Sequence, residues 1–199
     1  MEINYSPEKI EFEKELNKID TLALSFCSIL NEVKIQYVII SGYVAILFGR
    51  NRASEDIDMF IEEMPYPMFE NMWNTLTKEF ECINVSTSEE AYKEYLKQGI
   101  AIRFSPKDQY VPNIEMKFPA NDLDKLALKK KIPTRVNGKL TFIAPLEPQI
   151  IFKLYLGSEK DLEDARYLYT LFKEKLDKKM LNEMFRKLKI DERYKEYIR

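Results

Sequence analysis

Asp56 and Asp58 stand one residue apart at the head of an apolar run that ends at Ile61. Read as a strand, this run puts both carboxylates on one face and Ile57, Met59 and Ile61 on the other. Two like charges side by side on a largely apolar strand repel each other, and burying them unpaired is expensive. A cation between them removes that cost, and oxygen ligands select a hard ion such as Mg²⁺ or Mn²⁺. A third carboxylate, Glu115, lies in another apolar run (111–118), in which Ile114, Met116 and Phe118 share one face and Asn113, Glu115 and Lys117 the other. The competing reading is plainer. Asp56 and Asp58 could be surface groups on an edge strand, and Glu115 could pair with Lys117 or Arg103. The chain contains no histidine, which excludes Ser-His-Asp and Cys-His nucleophilic sites and His-ligated zinc. Chemistry is left to carboxylates, lysines, hydroxyls and a metal.

Several elements must position these groups. Residues 38–40 form a short β-branched run that reads as a buried strand. Ser41-Gly42 breaks it, residues 43–48 read as a short helix, and Gly49-Arg50-Asn51 ends that helix. Upstream, apolar residues recur at helical intervals from Pro7 to about Val33, which predicts one packing helix or two, with Ser6 as the cap. Downstream the pattern predicts a helix over 65–80 with Phe69, Met72, Trp73 and Leu76 inward, a short strand over 82–85, a helix over 88–97 started by Ser88, and strands over 99–104 and 111–118. Asn121 or Asp122 caps a helix over 123–130. Asn137-Gly138 suits a type I′ turn between strands 133–136 and 140–143. Pro145 opens a helix closed by Gly157, and Ser158 with Asp161 starts another that runs to about 175. Short helices follow over 177–187 and 191–197.

At 199 residues and 23.7 kDa the chain fits one domain with a helical appendage, divided here as 1–144 and 145–199. With 45% hydrophobic and 32% charged residues it can bury a core. A net charge of −2 gives no global attraction to nucleic acid. Lys125, Lys129, Lys130, Lys131, Arg135 and Lys139 make a local basic stretch that either tracks a phosphate backbone or is a solvated face. Cys27 and Cys82 have neither metal-type nor disulfide-framework spacing, which points to a reducing cytoplasm. Neither a signal peptide nor a membrane span is expected.

Ile40-Ser41-Gly42, thirteen residues, then Asp56-Ile57-Asp58 resembles the nucleotidyltransferase signature of the DNA polymerase beta superfamily. The longer string Ser41-Gly42-Tyr43-Val44-Ala45 … Gly49-Arg50-Asn51-Arg52-Ala53-Ser54-Glu55-Asp56-Ile57-Asp58 is similar to the small prokaryotic branch that includes AbiEii-type toxins. Lys153-Leu154 … Lys160-Asp161-Leu162-Glu163-Asp164 resembles that branch's later helices. The resemblance spans roughly residues 35–170. It departs from the family in two places: Ser41 replaces the first Gly, and the third carboxylate is Glu rather than the commoner Asp.

The resemblance implies an α+β fold, a nucleotidyltransferase-type mixed twisted sheet flanked by helices, with a C-terminal helical portion. It also implies Mg²⁺-dependent transfer of a nucleotide from an NTP to a hydroxyl of RNA or protein, as a toxin component with an antitoxin partner or as a stress enzyme. On that reading Asp56, Asp58 and Glu115 hold the metal. Ser41, Gly42, Arg52 and Ser54 form the nucleotide-binding side, with the Gly42 turn and the helix N-terminus suited to phosphate oxygens. Lys153, Lys160 or Arg52 supplies charge to the leaving pyrophosphate, oriented by Asp161 and Asp164. Two alternatives stand beside it: a catalytically silent protein of this fold that binds a nucleotide or a partner protein, and a helix-rich interaction module. The lysine and aspartate pairs over 153–164 also read as an ordinary solvated helix face, and Arg52 as pairing only with Glu55 or Asp56.

Overall fold

A computed structural model describes residues 2–6 and 8–198. Among these, nine strands form one mixed sheet in the order β1 (Ile3–Ser6), β2 (Lys9–Phe12), β8 (Ile132–Val136), β9 (Lys139–Ile143), β3 (Tyr37–Ile39), β4 (Asp56–Ile61), β7 (Asn113–Lys117), β6 (Ile102–Pro106) and β5 (Phe80–Cys82). The centre is mixed in direction: β3 pairs antiparallel with β4, while β4 and β7 run parallel. Helices flank the sheet: α1 (Lys18–Glu32), α2 (Gly42–Leu47), α3 (Tyr66–Leu76), α5 (Asp122–Lys129), α6 (Leu146–Leu156), α7 (Glu159–Phe172) and α8 (Lys178–Lys187). The short α4 (Ser88–Glu90) continues as a π turn over Ala91–Tyr95 and a 3-10 turn over Leu96–Gln98, and a last 3-10 segment covers Glu192–Ile198.

The main core lies on the face of β4 that carries Ile57, Met59 and Ile61, which share one apolar cluster with residues of α1, α2 and α3. Residues of α6, α7 and α8 belong to that same apolar cluster. The opposite face carries Asp56, Asp58 and Phe60. There only a small cluster forms, Val38, Phe60 and Ala144, against Ala127 and Leu128 of α5. The period-2 pattern of β4 therefore separates core from site.

The N-terminal region departs from the helix expected from Pro7 onward. Pro7 itself lies outside the described residues. Residues on either side of it form β1 and β2, in which Ile10 and Phe12 are buried and alternate with Lys9 and Glu11. Strand β2 adds parallel to β8, a long-range pairing that a local reading of spacing does not register. The Ser6 hydroxyl accepts from the Lys9 N–H at 3.1 Å instead of capping a helix. Helix α1 starts at a capping box, with Asn17 Oδ1 accepting from the Asp20 N–H and the Asp20 carboxylate accepting from the Asn17 N–H. Smaller corrections follow at the far edge. Strand β5 precedes Ile83 instead of covering 82–85, β6 starts at Ile102, and Thr87, not Ser88, caps α4.

Candidate functional site

Strand β4 delivers Asp56 and Asp58 to the open face, and its parallel neighbour β7 sets Glu115 directly opposite Asp58 and Asn113 opposite Asp56. Antiparallel pairing of β6 then puts Arg103 opposite Glu115 on the other side. The Arg103 guanidinium holds Glu115 Oε1 at 2.7 Å. Burial pushes the Asp58 carboxyl above its usual range, the Ser41 side chain opposes this, and the charge of Asp56 adds to the rise. Glu115 is also raised, first by burial, against the pull of Arg103, with Asp58 and Asp56 adding to it. The three carboxylates thus share one field. As placed, however, no three acidic, histidine or cysteine groups among the described residues are drawn together tightly enough to hold a metal. Arg103 explains that for Glu115. Asp56 is tethered instead by Ser54, whose hydroxyl donates to Oδ1 at 3.2 Å.

Ser41 closes the strand end and adopts φ 63°, ψ −142°, a region where a side chain is strained. Helix α2 follows and is held from below. Tyr43 donates to the buried Asp20 at 2.9 Å, Lys14 pairs with the same carboxylate at 2.8 Å, and Lys14 Nζ also donates to the carbonyls of Ile46 and Leu47 at the end of α2. Sequence reasoning missed this support, because Lys14 and Asp20 look like surface charges in a strip of Lys and Glu.

Gly42 has a packing reason to be glycine. A Cβ built there overlaps Nη2 of Arg52 and comes within 3.1 Å of its Cζ. The guanidinium fills the space a side chain would take, and from there it reaches Asp164 on α7 with two parallel bonds, Nε to Oδ1 and Nη2 to Oδ2, both 3.1 Å. Arg52 thus bonds to Asp164 instead of Glu55 or Asp56, and Asp56 acts on it through its charge. Gly42→Ala should destabilise by about 1–3 kcal/mol through overpacking. A thermal melt checks this, and the double variant Gly42→Ala, Arg52→Ala should cost much less than the sum of the two single changes.

Asp164 is fully buried and gathers three cations. Besides Arg52, Arg50 contacts Oδ1, and Lys153 Nζ of α6 lies 2.7 Å from Oδ2 and 3.2 Å from Asp161 Oδ1. Burial lowers the Lys153 ammonium against the pull of Asp161, and the nearby guanidiniums lower it further. The solvated-face reading of these residues fails for Lys153 and Asp164. Lys160 is different: it is exposed, and its backbone carbonyl, not its side chain, joins the cluster by accepting from Arg50 at 3.1 Å. Arg50 was read from sequence only as a helix terminator. The Lys-Leu and Asp-x-x-Asp spacing, with Arg52 as a further cation, was the signal of this cluster, and it does not name Arg50.

No family model matches the chain, and no curated protein matches it. Two solved structures resemble it along most of their length. One is an antigenic nucleotidyltransferase-like protein from Paracoccidioides brasiliensis, at 16% identity and a TM-score of 0.53, covering 86% of this chain and 92% of that one. The other is the solution structure of the antibiotic-resistance factor ANT(2'')-Ia, at 13% identity and a TM-score of 0.54, covering 89% and 95%. The fold is a nucleotidyltransferase fold. The mixed sheet flanked by helices expected from the sequence is therefore found. Among the described residues no helix is long and apolar enough to cross a membrane.

Proposed function

We propose that the protein transfers a nucleoside monophosphate from an NTP to a hydroxyl of RNA or protein, as an AbiEii-like toxin component. The observation that carries this reading is the in-register pair Asp58 and Glu115, with Asp56 beside them, next to the Ser41-Gly42 turn on a nucleotidyltransferase fold. The donor set is all oxygen and carries excess negative charge on a half-buried face, which fits Mg²⁺ or Mn²⁺. Asp56 and Asp58 would hold the ion, with Glu115 joining once it leaves Arg103. When bound, the ion supplies charge neutralisation for the triphosphate.

The chain's own groups do the rest. The acceptor oxygen attacks the α-phosphorus, the bond to the bridging oxygen breaks, and pyrophosphate leaves. The acceptor proton passes to a carboxylate of this cluster, with Glu115 across from Asp58 placed to take it. Lys153, Arg50 and Arg52 are the cations nearest this face, and their side chains would attract the leaving pyrophosphate.

A second reading, nucleotide binding without transfer, is favoured by the Arg103–Glu115 ion pair, which occupies the third carboxylate. Incubation with each of the four labelled NTPs, Mg²⁺ and cell extract separates the two. Transfer labels an RNA or protein acceptor and releases pyrophosphate. Binding alone retains label on the protein and releases none, and that result would sink the enzyme reading.

A further inference from the structure

Gln149 of α6 is one of three buried side chains among the described residues with a polar atom left unpaired, beside Tyr37 and Asn113. The residue is 8% exposed, and its Nε2 is buried with no hydrogen-bond partner among the described residues. A buried amide donor left unmet bears its full desolvation cost, so such a group calls for a ligand or water to meet it. Its position points to a ligand. One turn further along the same side of α6 stands Lys153, bonded to Asp161 and Asp164 and acting electrostatically on Asp58. Helix α6 also begins beside the carboxylates. Ala144 donates to the Ile39 carbonyl at 2.9 Å, and Ile40 donates to the Asp58 carbonyl at 3.0 Å, so the ends of β9, β3 and β4 are stitched together where α6 departs.

We propose that Gln149 is a binding residue for the base of the nucleotide, its amide donor and acceptor reading a base edge that presents an adjacent acceptor and donor, while Lys153 serves the phosphates. This rests on the nucleotide-transfer reading of the site. It adds base discrimination, which the carboxylates and the cation cluster do not provide.

The test titrates the full chain and Gln149→Met with each of the four NTPs and with inorganic tripolyphosphate. Met matches the length of Gln and removes both polar atoms, so the melt should stay at or above wild type. Affinity for the preferred NTP should fall by roughly 10- to 100-fold, the loss expected for a bidentate base contact. The four NTPs should become nearly equal, and tripolyphosphate binding should not change. A folded Gln149→Met protein that keeps wild-type discrimination overturns the inference alone, and so does a wild type that binds all four NTPs equally. A wild type that binds no NTP overturns the nucleotide reading as well. Should Gln149→Met fail to fold, Gln149→Glu decides: with an acceptor in place of the donor it should reorder the four NTPs, and an unchanged order sinks the proposal.

Discussion

Asp58→Asn should lower labelled-nucleotide transfer by at least about 10²–10³-fold, the range that losing one directly stabilising group costs, while the protein melts at or slightly above the wild-type temperature. The two halves of this expectation have separate origins. The activity loss follows from charge. Asp58 sits on the open face between Asp56 along the strand and Glu115 across it, so removing its anion leaves no adjacent pair to hold a divalent ion. The stability half follows from the direction of the Asp58 shift. Burial and the charge of Asp56 raise its carboxyl in the folded state. A raised carboxyl favours folding only below its unfolded value, and that contribution is lost as pH rises through the folded value, so at neutral pH the anion works against folding. Asn keeps the shape and removes that repulsion. Transfer at the wild-type rate would rule out Asp58 as a metal-holding group. A large drop in melting temperature would mean that the carboxylate is a structural partner after all.

Much of this site could be read before any fold was known, and the reason is local. The bounds of β4 coincide with the stretch predicted from Asp56 to Ile61, because alternation over six residues is decided within the strand itself. The hairpin at Asn137-Gly138 was equally legible, since both residues take positive φ, 49° and 77°, as a type I′ turn requires. What stayed hidden depends on register or on distant packing. Arg103 was one of two partners the sequence offered for Glu115, and which of Arg103 and Lys117 takes it stayed open, because that depends on how β6 and β7 align. The space beside Gly42 is taken by an arginine ten residues later that reaches a helix more than a hundred residues away, a packing role that no local pattern shows. Ile10 and Phe12 were assigned to a helix because two residues of strand spacing followed by a true helix mimic one long helical pattern. Their parallel partner, β8, lies far along the chain.

Asp164→Asn should be the most destabilising single change at this site, costing about 3–5 kcal/mol as expected when one partner of a buried ion pair is removed, or roughly 10 °C in melting temperature for a chain of this size. The argument is one of counting charges around a buried group. Asp164 is fully buried, and the Arg50, Arg52 and Lys153 side chains that surround it are only 17%, 11% and 4% exposed. Asn offers them no anion and turns an amide donor toward a set of donors. Asp161, at 23% exposure and with Ser158 as a second partner, provides the control: Asp161→Asn should cost far less. Loss of Asp164 should also reach the site, because Arg52 would no longer be held in the space beside Gly42, and that guanidinium ties the strand-to-helix turn to α7. Transfer should therefore fall in Asp164→Asn even well below its melting temperature, whereas a change that only lowered global stability would leave transfer intact there. An Asp164→Asn protein with a wild-type melt would show that the three cations are solvated and that no buried charge cluster joins the two helices to the turn.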